Sequence, residues 1–407
     1  MKMYLIFAWR NLWRNKRRTL ITAASVLFGV VFAIFMSSMQ EGTYDGNIER
    51  IVQFYTGYAQ LQHPDYWEEK TLEHTMKPGD SLLNALQEDP RVTHIAPRLE
   101  YFALASHKDA TKVSSIVGIE PGKEKEVTNI LDYLKKGEYL KKGDNGVLIG
   151  RMLAENLGLQ IGDTLTLTGQ GYRMMTAAGL FPIKGIVDFP AEELSKTTVY
   201  MSMEQCQDFL SAPQMQTSLV IMLDDQDQLK SFHSNWMNQL DHDQYVVKTW
   251  KEMQPEMVQQ IEADRAGGVI FLFVLYMIIL FGILGTVMMM VAERQRELGV
   301  MIAVGMKRFK LFIVIFLEMI FIGILGIVSG IILSFPIVTY FKYNPLELTG
   351  NAAEAMTEYG WEPFMYVTLD PQIFLNQAGI ILGITLVIAI YPLQKILRMK
   401  EINALRA

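Results

Sequence analysis

One cysteine, Cys206, stands among 407 residues. A lone thiol closes no intramolecular disulfide, so the chain is no disulfide scaffold, and Cys206 reads as a small buried hydrophobe. Other absences narrow the function. No G-x-x-x-x-G-K-[ST] loop is present to cradle phosphates; the nearest stretch, Gly118–Lys123, is one residue short and reads as a turn. No G-x-S-x-G elbow offers a serine nucleophile. His63, His74, His94, His107, His233 and His242 follow no H-E-x-x-H pattern and show no paired spacing that would seat zinc, so no metal site is expected. Asp224, Asp225 and Asp227 lack the glycine and distal glutamate of a calcium loop and read as strand-end and capping residues. A net charge of −6 argues against nucleic acid as a partner. With no catalytic constellation in sight, a free-standing enzyme is not expected, nor a cofactor held by this chain.

Charge is also scarce in four long stretches, which only Glu41 and Glu318 interrupt, and there its scarcity is informative. Half of the chain is hydrophobic, and the excess is concentrated in runs long enough to cross a bilayer as helices, which takes about 20 residues. The first is 19–41, and 266–292, 311–341 and 371–394 follow. An apolar core this long with no Ala-x-Ala site after it reads as an uncleaved anchor rather than a signal peptide. Gly282 and Gly285 in the second run, and Gly323, Gly326 and Gly330 in the third, offer small faces for close helix packing, and Pro336 is expected to kink or end the third helix.

Acids are missing from residues 1–18, where Lys2, Arg10, Arg14, Lys16, Arg17 and Arg18 accompany Leu5, Ala8, Trp9, Leu12 and Trp13 at helical spacing. That pattern predicts a basic amphipathic helix on an anionic membrane face. By the positive-inside rule the first span then leaves the cytoplasm, so 42–264 is exported. The loop 342–370 is acid-rich and external, while 293–310 and the tail 395–407 are basic and internal. Within 42–264, strand-like runs such as Val113–Val117, Val147–Ile149, Thr164–Leu167 and Ser218–Leu223 alternate with helix-like runs such as Ser81–Gln87, Arg151–Leu157 and Met203–Leu210. The expected fold is thus four transmembrane helices with a large mixed α/β domain between the first two.

The internal segment 293–310 mixes charge and apolar residues at helical spacing. Glu293 and Arg294 precede Arg296 and Glu297 by three, and Leu298, Met301, Ile302 and Gly305 form an apolar face that needs a partner. Glu318 is an ionisable group inside the third span, costly unless it meets protein, water or a counter-charge. A coupling or substrate-path role and simple pairing with Lys310 or a loop arginine are both open to it. Met36, Met39, Phe273 and Tyr276 flank the outer halves of the first two spans, where pliable methionine beside aromatics suits acyl chains as well as plain packing.

Three stretches carry a family resemblance. Ala8–Thr19 (Ala-Trp-Arg-Asn-Leu-Trp-Arg-Asn-Lys-Arg-Arg-Thr), the strand-helix-strand unit Gly146–Leu167, and Glu293–Met306 resemble the permease subunits of the ABC transporter superfamily that contains the MacB exporters, the FtsX cell-division proteins and the LolC and LolE lipoprotein-releasing proteins. The ending Ile402–Arg406 is similar too, with Asn403 where Glu is common. The resemblance implies an inner-membrane permease with a MacB-type periplasmic core domain, a second permease, identical or related, and a cytoplasmic ABC ATPase dimer that binds the ATP and Mg. It implies that Glu293, Arg294, Arg296, Glu297, Leu298, Gly299, Met301, Gly305 and Met306 form the ATPase-coupling segment, and that motion passes to the external domain by mechanotransmission. The amino-terminal motif is most like the lipoprotein-releasing branch, whose partners also include membrane lipids, a lipoprotein substrate and a periplasmic carrier or adaptor. MacB-like efflux of drugs, peptides or toxins and FtsX-like control of a cell-wall hydrolase are the alternatives.

Overall fold

The computed structural model describes residues 2–392 except 15, 190, 191, 352, 354, 355 and 357–362. The tail 395–407, with the motif Ile402–Arg406, lies outside the described residues. The chain forms two compact units, 1–46 with 260–348 and 364–407, and 47–259 with 349–363.

Four helices of the first unit are long and apolar enough to cross a membrane. A surface helix, Lys2–Arg14, leads into the first long helix, Lys16–Ile51, and the second runs over Pro255–Glu293. A short helix, Gln295–Ala303, joins it to the third, Arg308–Tyr343, and the fourth spans Pro371–Ile388. Both helices that lead to and from the second unit continue past the ends of their apolar runs. The boundaries of the external segment read from charge therefore fall inside helices: hydropathy marks where lipid ends, not where a helix does.

Glycine decides how these helices pack. A Cβ on Gly326 would lie 2.6 Å from Val26 Cβ and 2.8 Å from the Ala23 carbonyl, and one on Gly330 would lie 2.7 Å from Val30 Cβ. The third helix thus lies directly against the first, as small residues in a span permit. Gly323 meets Thr385 of the fourth in the same way. Gly282 and Gly285 differ from the expectation, for among the described residues no other helix comes within 4 Å of a Cβ there. Pro336 does not end the third helix, which continues to Tyr343. At their far ends the first and second helices are tied by an ion pair of Arg265 with Glu41 at 2.6 Å and a hydrogen bond from the Tyr44 hydroxyl to Asp264.

The surface helix is amphipathic as expected, but its apolar side is shared. Ala8 and Leu12 are buried, and Trp9 meets Phe321 of the third helix edge to face at 5.8 Å. Ile6, Phe7, Trp9 and Trp13 stay largely exposed, the composition of a helix that sits at a membrane interface.

The second unit is the mixed α/β domain. Its strands are β1 (Ala59–Gln62), β2 (Val92–His107), β3 (Ala110–Ile119), β4 (Leu134–Gly137), β5 (Val147–Gly150), β6 (Thr164–Gln170), β7 (Thr176–Val187), β8 (Thr198–Ser202), β9 (Ser218–Leu223) and β10 (Val246–Thr249). They pair in the order β10-β1-β9-β2-β3-β8-β5-β7-β4, and β6 joins β2 to β7. The pairings β2-β3-β8-β5-β7-β6 therefore close a ring, filled by Leu99, Ile116, Ile149, Leu165, Leu167, Phe181 and Met201. Closure removes free strand edges there. The short helices Arg151–Leu157 and Met203–Phe209 add Leu153, Leu157, Cys206 and Phe209 to the same core. Cys206 is fully buried, and burial pushes its thiol up from the ordinary range. Arg98, also buried, makes a two-pronged bond to Glu124 at 2.7 and 3.2 Å, faces Glu100 at 3.5 Å, and donates to the Tyr55 carbonyl.

Candidate functional site: the short helix and its groove

The second long helix ends at Glu293 and the short helix begins at Gln295, so Arg294 sits at the hinge between them, outside helical geometry. Its guanidinium turns inward and donates to both carboxylate oxygens of Glu318, at 2.9 and 2.8 Å. Arg294 is 6% exposed and Glu318 3%. Glu318 lies ten residues into the third helix, about 15 Å along its axis at 1.5 Å per residue. A buried charge there is tolerated because one guanidinium nitrogen, Nη1, reaches both oxygens of the carboxylate and supplies its counter-charge. Glu318 thus pairs with a loop arginine, Arg294, one of the residues that the resemblance assigns to partner contact. Arg294 is therefore an internal strut and does not face outward.

The apolar face of the short helix has its partner within the chain. Leu298 and Ile302 pack on Leu311 and Ile315 of the third helix, with Met301, Met306 and Phe312 at the margin. Leu298 and Gly299 are buried, and Met301 and Met306 half-buried. The face that was expected to need a partner thus packs on the start of the third helix, while Leu298, Met301 and Met306 also line a groove on its open side. Gly305 ends the turn in a left-handed conformation, φ 101°. Met306 N–H donates to Met301 O at 3.0 Å and Gly305 N–H to Ile302 O at 2.9 Å. This is the glycine-terminated Schellman pattern, including the apolar contact across it.

Glu293, Arg296, Glu297, Val300, Val304 and Gly305 point outward. Val304 is 84% exposed, an uncommon degree for a valine beside a structured turn. Glu297 accepts from Arg14 of the surface helix at 2.7 Å. Between the two helices runs a groove of about 880 Å³, lined by Tyr4, Phe7, Val300, Met301, Val304 and Ile315 among others. Of the residues that the resemblance assigns to coupling, Arg294, Leu298 and Gly299 are buried and Glu293, Arg296, Glu297 and Gly305 exposed, and the groove takes its lining from both groups.

The outer candidates divide as well. Phe273 is largely exposed and Met36 half-buried. Met39 and Tyr276 pack against the interhelical core. The Tyr276 hydroxyl donates to Gln377 Oε1, and Gln377 Nε2 donates to Ser37 Oγ at 2.9 Å. That polar chain across the first, second and fourth helices was not legible in the sequence, because none of its residues is charged.

Comparison with known proteins agrees with this architecture. Residues 19–235 match the MacB-like periplasmic core domain, more than half of the chain, and residues 269–400 match the FtsX-like permease C-terminal domain. The chain belongs to this permease family of ABC transporters. Among curated relatives, the permease is 22% identical over 339 residues to the lipoprotein-releasing system transmembrane protein LolE of Haemophilus influenzae, covering 79% of this chain and 78% of that protein. It is 22% identical over 350 residues to LolC of Neisseria meningitidis, covering 81% of each. The match to LolC of Xylella fastidiosa, 24% over 253 residues, spans 60% of each chain. Solved structures similar to the permease include the periplasmic region of MacB from Actinobacillus actinomycetemcomitans, with 13% identity, 53% of this chain and 97% of that chain covered and a TM-score of 0.37. Another is the extracellular domain of the ABC-type transporter YknZ from Gram-positive bacteria, with 13% identity, 47% and 99% covered and a TM-score of 0.34. The permease is an inner-membrane protein with a periplasmic domain, and membership of the family implies an ATPase partner.

The histidines are not all dispersed, as the sequence reading had them. His63 and His74 converge in the second unit, their rings 4.8 Å apart. Eleven residues separate them, too many for a helical or strand repeat to reveal the pairing.

Proposed function

We propose that the permease couples ATP hydrolysis on a separate cytoplasmic ATPase dimer, which holds the ATP and Mg, to extraction of lipoproteins or similar amphiphiles from the outer leaflet of the inner membrane. One observation carries the mechanical part: the short helix is braced at its start by Arg294 on Glu318 and at its middle by Glu297 on Arg14. A push on a helix held this way moves the third helix and the surface helix with it, because packed elements shift as units. Both termini face the cytoplasm in this reading, following the basic segments. The Lol relatives support the substrate class.

Docking then falls on the exposed set. Val304→Arg together with Val300→Glu should abolish co-purification of the ATPase and its stimulation while the permease still folds. Unchanged co-purification sinks the assignment. For the substrate, photocrosslinking residues at Met36 and Phe273 should trap acylated protein. Capture of small hydrophobic compounds alone would instead support efflux.

A further inference from the structure

We propose that His63, His74 and Asp65 form a binding site for a divalent transition metal of the zinc class in the periplasmic domain. The three residues lie in the connection between β1 and β2. Their ligand atoms all fall within 4.8 Å of one another. Nδ1 of His63 and Nδ1 of His74 are 3.2 Å apart, and Asp65 Oδ2 is 3.8 Å from each. Two imidazole nitrogens bound to one tetrahedral zinc at about 2.0–2.1 Å would lie about 3.3–3.4 Å apart. The nitrogens already have that spacing. The Asp65 carboxylate is exposed, so a side-chain rotation brings it the remaining few tenths of an ångström.

Proton placement leads to the same site. His74 Nε2 lies 2.8 Å from Glu69 Oε2, so that nitrogen carries the proton and donates to the carboxylate. A neutral His74 then presents a bare lone pair at Nδ1. The Asp65 backbone N–H points at Nδ1 of His63 at 3.3 Å, which makes that nitrogen an acceptor too. Two ring nitrogens and a carboxylate therefore converge, and a metal that displaces the long Asp65 N–H contact from His63 Nδ1 would meet all three. A carboxylate on the far nitrogen, as Glu69 is on His74, is how ligating histidines are held and oriented. Three protein donors of N, N and O type leave a fourth position open to water.

The surroundings fit a built loop. The connection is ordered by a helical turn at Tyr66–Glu69 and a 3₁₀ turn at Leu72–His74, with Tyr66 and Leu72 buried beneath it. Both histidines are partly shielded, at 26% and 21% side-chain exposure. A metal there would tie residues 63 and 65 to residue 74 and fix the first part of the loop that leads from β1.

The test uses the full-length permease in detergent, stripped with chelator and titrated with Co²⁺ and then Zn²⁺. One equivalent of Co²⁺ should give the intense visible absorption of a four-coordinate site, displaced by Zn²⁺, and Zn²⁺ should raise the unfolding temperature. His63→Ala and His74→Ala should each lose the signal. Glu69→Gln should weaken binding by about 10–100-fold without removing a ligand. His94→Ala should change nothing. Binding should weaken as pH falls and protons displace the metal. Absence of a stoichiometric Co²⁺ signal, or a signal that survives both histidine changes, overturns the site. The apo-protein unfolding temperature of each variant separates loss of the site from loss of the fold. None of these outcomes depends on transport or on the ATPase.

Discussion

Arg294 and Glu318 show how one residue pair decides what a segment can do. Read along the sequence, Arg294 belongs to a solvated i, i+3 pattern with Glu297, and that contact exists at 3.4 Å. The stronger bond runs inward. Removing one member leaves the other buried without a counter-charge, which costs about 3–5 kcal/mol, whereas replacing both with apolar residues of similar volume is often nearly neutral. Glu318→Ala should therefore destabilise the permease by about that amount, and Arg294→Met with Glu318→Leu should recover most of it. Thermal unfolding in detergent measures stability, and ATPase stimulation in the double variant shows whether the brace is also needed for coupling. Stable but uncoupled is the outcome expected of a strut. Gly305 is the second such residue: a Cβ at φ 101° is strained whatever the space around it, so Gly305→Ala should lower stability by about 1–2 kcal/mol. In the periplasmic domain, Asp89 takes two bonds from Arg91, at 2.8 and 2.6 Å, and one from the Trp236 ring N–H at 2.9 Å. These hold its carboxyl down from 3.8 to about 2. A depressed acid stabilises the fold above its unfolded pKa, and that contribution is lost as pH falls through the folded one. Asp89→Asn should thus cost about 1–3 kcal/mol at neutral pH, and the difference from wild type should shrink below pH about 4 and vanish near 2. Urea unfolding at pH 7, 4 and 2.5 reads it directly.

At the scale of elements, the parts legible in the sequence were those set by local pattern. The strands around Val147, Thr164 and Ser218 and the helix Arg151–Leu157 were readable because alternation, glycine turns and short amphipathic runs specify them locally. Closure of β2-β3-β8-β5-β7-β6 into a ring was not, since it depends on β6 reaching β2 across some sixty residues of chain. The candidate site divides the same way. Its position and its charges were visible, but the direction each side chain takes was set by the third helix, which covers Leu298 and Ile302. Glycine faces illustrate the limit well: the third and second spans carry similar small-residue spacing, and only the third uses it within the chain. Gly326→Val should therefore drive the first and third helices apart and destabilise the monomer by several kcal/mol, because its Cβ would meet backbone as well as side chain. Gly282→Val should leave monomer stability within about 0.5 kcal/mol. Equal losses in the two variants would show that the helices are not packed as described.

The whole molecule has one span out of proportion to the others. In the apolar window of the second helix 11% of residues are buried, against 50% in the third. Ile270, Phe273, Ile278, Phe281 and Met289 all face outward, and Gly282 and Gly285 lie among them with no other helix of the described residues within 4 Å of a Cβ there. Lipid can cover aliphatic and aromatic side chains, but small residues let a second backbone come close, and a second permease, identical or related, is what the family resemblance leads one to expect. The second helix is accordingly where the partner permease should pack. The single native cysteine makes this easy to test, since Cys206 is fully buried, its thiol is pushed up by burial, and it should stay inert to a short bifunctional reagent. Gly282→Cys or Gly285→Cys should cross-link permease to permease in membranes, while Ile332→Cys and Leu375→Cys, equally exposed on the third and fourth helices, should not. Cross-linking through the latter pair alone would move the interface to the opposite side of the bundle, and the bracing of the short helix would then have to act on a differently arranged dimer.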